Sequence, residues 1–557
     1  MPKIKFVADY NTELIEKLIV KSDIIQNVKI LNSIYNNFIF NLKKKEKGTK
    51  NNDLRIRFID NSLSTISFNY KKNLNLDTLD LRAVEEDVIN YFNLISLNNK
   101  NFDLSIISFF NNKRFNNSFA YNQNHHIYGS KIIRYKMNIL LSEYFSEKNN
   151  YSLVDTLNWI DTDFESREKN WFYTKCVFNI KNAKQISNNI LNIVRNKIEA
   201  PRKIIFLDLD NTLWGGIVGE EGIDNLKIGG HDPIGEAFQN FQKKLKYLKN
   251  RGILLAIVSK NDENVAINCI EKNPDMILKK SDFVKYKINW SDKASNIREI
   301  LEELNLGASS AIFLDDSIEE RERVKFAIPE IYVPDLPIDK TLYPIFLENI
   351  FCFNINNLTD EDKNKTELYK QNEERYLNKS KFLKNKTYKD WLKFINSKLK
   401  ISNIDSLNFN RCLQLLNKTN QFNLQTNRYN DEKLKLWLKL KNNHMFTFKL
   451  RDNFGDYGLI GIISFNANNK KIEIVDFILS CRAMSKKVEN AMIAFVYEYM
   501  KLNNIKTASY KYIKSKKNKP ILDFLKSLDP NNNKNLFKFS INKKFNFPKE
   551  LKISKEK

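Results

Sequence analysis

The sequence predicts an α/β protein of three domains, and three observations carry that expectation. The chain has 557 residues, which at roughly 150 residues per domain suggests three or four of them. Its apolar runs are short and rich in β-branched residues, and in the middle of the chain they alternate with helical stripes at the spacing of βαβ units. Three of those runs end abruptly in Asp or Ser, which a buried parallel strand has little structural reason to do.

Composition sets the outer limits. A hydrophobic content of 42% is enough for several cores. No run approaches the 18 or so apolar residues of a membrane span, and the start, MPKIKFVADYN, lacks the long apolar stretch of a secretory signal. A cytoplasmic location without a membrane partner is expected. The five cysteines (Cys176, Cys269, Cys352, Cys412 and Cys481) are scattered and show no C-x-x-C spacing, which argues against a disulfide framework or a structural zinc site. Four histidines leave little for transition-metal chemistry. The net charge of +25 would suit nucleic acid. Lysine and asparagine are enriched almost everywhere, however, and no nucleic-acid-binding motif accompanies them, so a solvated surface and no nucleic-acid partner are expected. A basic surface also complements an acidic protein.

Residues 1–195 read as mixed α/β. Lys3 to Ala8 suits a strand, and Leu14, Ile15, Leu18 and Ile19 share one face of the following helix. RIRFID near Arg55 and Leu104 to Phe110 are further strands, whereas AVEEDVINYF and KIIRYKMNILLSEYF are helices. Residues 200–350 hold the βαβ pattern. Ile204 to Leu207 is a strand; Phe238, Phe241, Leu245 and Leu248 make a helical stripe closed by Gly252; Ile253 to Val258 is the next strand. A helix then carries Ala294, Ile297, Leu301 and Leu304 up to Gly307, before the strand Ala311 to Leu314. Residues 351–400 are helical and lysine-rich, and LTDEDKNKTELYKQNEERYLNKSKF reads as a long solvated helix or linker. In residues 401–557, MFTFKL and LIGIISF suit a hairpin and IEIVDFILS a central strand. Val488, Met492, Phe495 and Tyr499 form the core face of the next helix, and a last strand pair and a frayed tail are expected beyond residue 500.

The chemistry gathers where the central strands end. Ligands of open parallel sheets bind beyond the carboxyl ends of the strands. Asp208 and Asp210 follow the first strand, Ser259 and Lys260 the second, Asp315 and Asp316 the third. Clustered carboxylates repel one another; a hard cation such as Mg²⁺ relieves this and can hold a phosphate against one carboxylate, which then acts as an in-line nucleophile. Gly215, Gly216 and Gly219 suit a tight flap turn after the nucleophile, with Trp214 as its hydrophobic plug.

Asp208, Asp210 and Thr212 form a D-x-D-x-T pattern, in which the sequence resembles the haloacid dehalogenase superfamily. DLDNTLWGGIVGEEG, SKND at Ser259–Asp262, NWSDK at Asn289–Lys293 and FLDDS at Phe313–Ser317 extend the likeness to the FkbH-like proteins. The resemblance implies a flavodoxin-like, SGNH-hydrolase-type domain over 1–195 and a doubly wound parallel-sheet, haloacid dehalogenase-like domain over 200–350. It further implies a GNAT-like α+β domain over 401–557, beyond the helical linker read over 351–400. The amino-terminal domain should be catalytically silent, because Asp9 is followed by Tyr10 rather than serine and no D-x-x-H follows; His125 and His126 fall in an asparagine-rich stretch that suits a surface loop.

By resemblance, Asp208 is the nucleophile and Asp210 the general acid and base. Ser259, with Asn211, Thr212 and Lys260, meets the phosphate, and Lys293 adds positive charge. Asp208, Asp210, Asp315 and Asp316 form the Mg²⁺ site. NKTNQFNLQTNRY, RDNFGDYGLIGIISF and DFILSCRAMSKKVENAM carry the GNAT likeness. Arg482, Ser485 and Lys487 occupy the R/Q-x-x-G-x-G/A turn without its glycines, which suits a pantetheine arm better than free coenzyme A. Cys481 is a candidate thiol acceptor, with Arg482 beside it, or else a small buried apolar residue. The implied activity takes a glyceryl-type unit from 1,3-bisphosphoglycerate, dephosphorylates it and loads it on an acyl carrier protein. Two other readings are a Mg²⁺-dependent phosphatase of a sugar or lipid-precursor phosphate and a carrier-binding scaffold without turnover.

Overall fold

Short β-branched and aromatic runs become five parallel strands at the amino-terminal end: β1 (Lys3–Val7), β2 (Lys29–Leu31), β3 (Arg55–Ile59), β4 (Leu104–Ser108) and β5 (Tyr151–Val154), in the order β2-β1-β3-β4-β5. Successive side chains point to opposite faces. Ile4, Phe6, Ile56 and Phe58 pack on helices Glu13–Val20 and Ile180–Ile198. Val7, Ile59 and Ile107 pack on helices Leu81–Leu97 and Ser130–Phe145. The structure, a computed structural model, describes the chain except residues 1, 9, 26, 32–53, 62–80, 98–101, 111–129, 147, 149, 157, 158, 160–163, 177, 200, 201, 231, 354–362, 385, 420, 426, 430, 469, 516, 517, 529–535, 543 and 557. Asp9, His125 and His126 therefore lie outside the described residues. The chain divides into two compact units, Met1–Ala200 and Pro201–Lys557. Among the described residues no helix is long and apolar enough to cross a membrane.

The second unit opens with a four-stranded parallel sheet: β6 (Ile204–Leu207), β7 (Leu254–Ser259), β8 (Phe283–Ile288) and β9 (Ala311–Leu314), in the order β8-β7-β6-β9. Ile205, Leu207, Leu255 and Ile257 face helix Pro233–Asn250, where Phe238, Phe241 and Leu245 meet them. Ile204, Phe206, Leu254 and Phe313 face helices Lys293–Glu303 and Ile318–Ala327. Helices on both faces make the sheet doubly wound, as expected. Succession runs from β6 outward to β8 and then returns to β9, so the direction reverses between β6 and β9, which is where such sheets bind ligands.

A larger mixed sheet completes this unit. Its strands are β10 (Lys398–Asn403), β11 (Phe422–Asn423), β12 (Asn443–Asp452), β13 (Gly455–Ala467), β14 (Lys471–Leu479), β15 (Thr507–Lys511), β16 (Leu536–Ser540) and β17 (Lys552–Lys555). The order is β16-β15-β14-β13-β12-β10-β17, with β11 on β14. The expected hairpin is β12–β13, and the expected central strand is β14. Helix Val488–Leu502 buries Val488, Met492 and Val496 against the sheet before β15 joins β14 in parallel. The tail is not frayed: β17 pairs with β10, and Leu551 just before it is buried in the core.

The lysine-rich stretch expected to be solvated is a strut. Helix Lys365–Phe382 places Lys370 Nζ on the Ser281 carbonyl and forks Arg375 onto Asp452, with Nε and Nη2 at 3.0–3.1 Å from its oxygens. Asp452 also accepts from Tyr457 OH at 2.8 Å, and the guanidinium lies 3.9 Å from the Tyr457 ring. Apart from Leu368 and Tyr369 the contacts are polar, so no continuous apolar stripe marks the face. Arg375→Met strands a buried carboxylate and is expected to cost about 3–5 kcal/mol. Thermal unfolding checks this, with Arg375→Met paired with Asp452→Asn recovering most of the loss.

Candidate active site

β6 and β9 deliver three carboxylates to the switch point. One oxygen each from Asp208, Asp315 and Asp316 lies within 4.8 Å of the others, with Asp208 and Asp315 buried. Lys293, first residue of the helix capped by Asp292, reaches them from beyond β8. Its Nζ is 3.0 Å from Asp208 Oδ1 and 2.6 Å from Asp315 Oδ2. Burial opposes the lysine's charge, but the two carboxylates outweigh it and hold the ammonium protonated above the ordinary lysine range. Burial, and then the Asp208 charge, pushes the Asp315 carboxyl up despite Lys293. Lys293 thus pairs with two of the three acids. An all-oxygen set with excess negative charge fits a hard divalent cation such as Mg²⁺.

Asp210 stands apart from that cluster. It was expected among the metal ligands, but its side chain is not one of the three that converge. Oδ1 accepts from Trp214 Nε1 at 2.8 Å and Val218 N at 3.1 Å, and Oδ2 from Asn261 Nδ2 at 2.9 Å. Burial raises its pKa, and Asp208 and Asp316 add to this, against the donors at Val218 and Trp214. A carboxyl held in place with a raised pKa suits proton transfer. Trp214 is fully buried, so it plugs the flap as expected and also grips Asp210.

The remaining expected residues divide. Thr212 Oγ1 accepts from Asp316 N at 3.1 Å, pinning the β6 loop to the β9 loop. Asn211 takes φ +55°, and its Oδ1 accepts from Gly216 N at 3.0 Å. Gly216 needs its φ of +100°, and a Cβ on Gly215 would press on Lys227 and Phe238 at 3.0 Å. Gly219 has no neighbour demanding glycine. Ser259 is buried at the carboxyl end of β7. Lys260 does not turn to the cluster, because its Nζ is 2.7 Å from Glu320. Arg482 lies in the turn Cys481–Ala483 after β14, on the other sheet of this unit; the Cys481 side chain is outside the described residues.

Three side chains escaped the sequence reading. Asn261 follows Lys260 in a block already singled out, so its position signalled it. Arg321 Nη1 donates to the Asp315 and Asp316 carbonyls, at 2.8 Å each. Lys340 Nζ lies 3.1 Å from the Asn211 carbonyl and 3.5 Å from Asp316 Oδ2, delivered by a single 3-10 turn, Lys340–Leu342, too short to show periodicity. In the first unit, Ser108 at the end of β4 is fully buried. It donates to Asp60 at 2.8 Å and accepts from Asn61 N at 2.6 Å, a tie between strand ends.

No family model and no curated protein matches the chain. Among solved structures, the N-terminal part of the protein BF1531 from Bacteroides fragilis, which contains a phosphatase domain and is complexed with Mg, matches with a TM-score of 0.52 and 25% identity, over 64% of this chain and 94% of that one. The ribosomal-protein-S18-alanine N-acetyltransferase from Escherichia coli matches at 0.20 and 9% identity, over 26% of this chain and 94% of that one. A spermidine N-acetyltransferase from Vibrio cholerae matches at 0.17 and 14%, over 21% and 71%.

Fold and constellation together define the class: an enzyme built around a haloacid dehalogenase-like phosphatase fold. Within that class, the chain is a multi-domain α/β protein in which Asp208, Asp315 and Asp316 gather beyond the carboxyl ends of β6 and β9, with Lys293 beside the first two.

Proposed function

We propose that this chain is a cytoplasmic, Mg²⁺-dependent enzyme that takes a glyceryl unit from 1,3-bisphosphoglycerate, removes its phosphate monoester through an aspartyl phosphate on Asp208, and loads the unit on the thiol of an acyl carrier protein. The observation that carries the phosphatase half is the convergence of Asp208, Asp315 and Asp316, the first two paired with Lys293, with Asp210 gripped apart. Asp208 attacks phosphorus as a carboxylate, Lys293 steadies the phosphoryl oxygens, and Asp210 protonates the departing alkoxide. Asp210 then takes a proton from the water that opens the acyl phosphate on Asp208. Asp208, Asp315 and Asp316 would hold Mg²⁺, which when bound supplies charge neutralisation for the transferred group. Thioester formation is a separate step. The carrier thiolate attacks the acyl-phosphate carbonyl and inorganic phosphate leaves; Cys481 beside Arg482 is the residue we assign to any transient acceptance.

Chelation with EDTA should abolish phosphate release and added Mg²⁺ should restore it; undiminished release in EDTA contradicts the metal assignment. Trp214→Phe removes one donor to Asp210 while keeping an aromatic plug. Phosphate turnover is expected to fall about tenfold with KM unchanged, since a hydrogen bond to a charged group is worth about 1.5–3 kcal/mol. Steady-state kinetics on a phosphate monoester checks this.

A plain phosphatase of a sugar or lipid-precursor phosphate is the second reading, and one observation favours it. β14 and β15 pair only over Lys471–Ile474 and Thr507–Tyr510, and the gap beyond is bridged by β11, with Ile513 N on the Leu424 carbonyl at 3.1 Å. Among the described residues β11 thus occupies the place beside β14 where a carrier arm would otherwise enter.

A further inference from the structure

The positive charge is not spread evenly. Residues 351–557 hold 42 of the 91 Lys and Arg but 20 of the 66 Asp and Glu, whereas residues 200–350 hold 20 and 25. The excess thus belongs to the strut and the mixed sheet, not to the phosphatase domain.

Within that region one place combines charge with shape. A shallow, open cleft of about 850 Å³ lies where the strut turns into helix Tyr388–Phe394. Phe382, Leu383 and Phe394 give it an apolar floor, and Lys384, Lys386 and Lys393 rim it. Tyr388 OH donates to the Ser485 carbonyl at 2.7 Å, which ties the cleft to the turn after β14. Lys486 of that turn sits 5.4 Å from the Tyr457 ring, on which Arg375 of the strut also lies. Burial above all, with nearby Arg375 and Lys379, pulls the Lys486 ammonium down to about 8 despite Asp452. Among the described residues none of Lys379, Lys384, Lys386, Lys393 and Lys486 forms an ion pair with a carboxylate, although Asp390 is on the rim and Glu489 near the turn. Phe394 of the floor is 50% exposed, and Tyr376 (72%) and Leu377 (51%) stand exposed on the strut helix.

We propose that this cleft docks an acidic protein through an amphipathic helix, apolar side chains on the floor and carboxylates against the lysine rim. Charge complementarity fixes the sign of the partner, and the exposed apolar floor asks for a hydrophobic helix face, which a phosphate backbone lacks. The proposal rests on the carrier-loading reading and locates its partner next to the turn that holds Cys481.

The test uses the full chain, an acidic acyl carrier protein with its phosphopantetheine arm, and the exposed triple variant Lys384→Glu, Lys386→Glu and Lys393→Glu. Carrier binding, followed by titration calorimetry at two salt concentrations, is expected to weaken at least tenfold in the variant and to lose most of its salt dependence. Phosphate release from p-nitrophenyl phosphate should be unchanged. Equal binding by both proteins, no binding by the wild type, or tighter wild-type binding of a single-stranded oligonucleotide lost in the variant overturns the docking proposal. A carrier that binds through the cleft yet is never acylated leaves the docking standing and sinks the loading reading; loading that ignores the triple variant does the reverse.

Discussion

Asp208→Asn is expected to lower phosphate release by about a thousandfold or more while leaving the fold intact. The amide keeps the shape of the carboxylate and loses the charge that attacks phosphorus. Stability should not fall, because Asp208 is one of three clustered acids and its charge is among the causes that push the Asp315 carboxyl up. Lys293 keeps Asp315 at 2.6 Å as a partner in the variant. Two readouts separate the roles. Malachite-green assay of phosphate reports the chemistry, and thermal unfolding with and without Mg²⁺ reports the metal site, where the wild type should be stabilised by the ion and the variant far less.

Lys293→Met should produce the other large effect, on stability as well as turnover. The ammonium is the buried counter-ion of Asp208 and Asp315, and methionine leaves two buried carboxylates facing each other. Removing one partner of a buried ion pair costs about 3–5 kcal/mol. In metal-free buffer the melting temperature should therefore drop by several degrees or more. Mg²⁺ should recover part of the loss, because a cation bound only by the folded state stabilises it by mass action. Phosphate release should stay at least a hundredfold low even at saturating Mg²⁺, since the ion does not replace a donor aimed at the phosphoryl oxygens. A variant that melts like the wild type in EDTA contradicts the account of Lys293.

The candidate site was legible in the sequence because parallel-sheet topology turns strand ends into coordinates. Once Ile204–Leu207 and Ala311–Leu314 are read as buried strands, Asp208, Asp315 and Asp316 must share one sheet edge, and the structure brings them together. Lys293 was legible only through the resemblance of the NWSDK block; the structure places it as the first residue of the helix after β8. What escaped were contacts without period. The Trp214 Nε1 bond to Asp210 depends on a rotamer, and Lys340 arrives on a single short turn more than a hundred residues from the loop it touches. The strut was misread as solvated because charged pairs such as Arg375 with Asp452, rather than an apolar stripe, fasten it. β17 escaped because KISK carries too little hydrophobic signal to mark a strand; it is placed by pairing with β10. Composition concealed the charge asymmetry in the same way, since a whole-chain average hides a neutral to acidic middle.

The central claim is that two chemistries are divided between two places on one chain. Intact-mass spectrometry of the carrier protein, after incubation with 1,3-bisphosphoglycerate and either the wild type or Asp208→Asn, tests it most directly. The account predicts a glyceryl thioester from the wild type and, from the variant, the same adduct heavier by one phosphoryl group. A carrier left unacylated by a wild-type enzyme that still releases phosphate, or a dephosphorylated glyceryl adduct from Asp208→Asn, would contradict it.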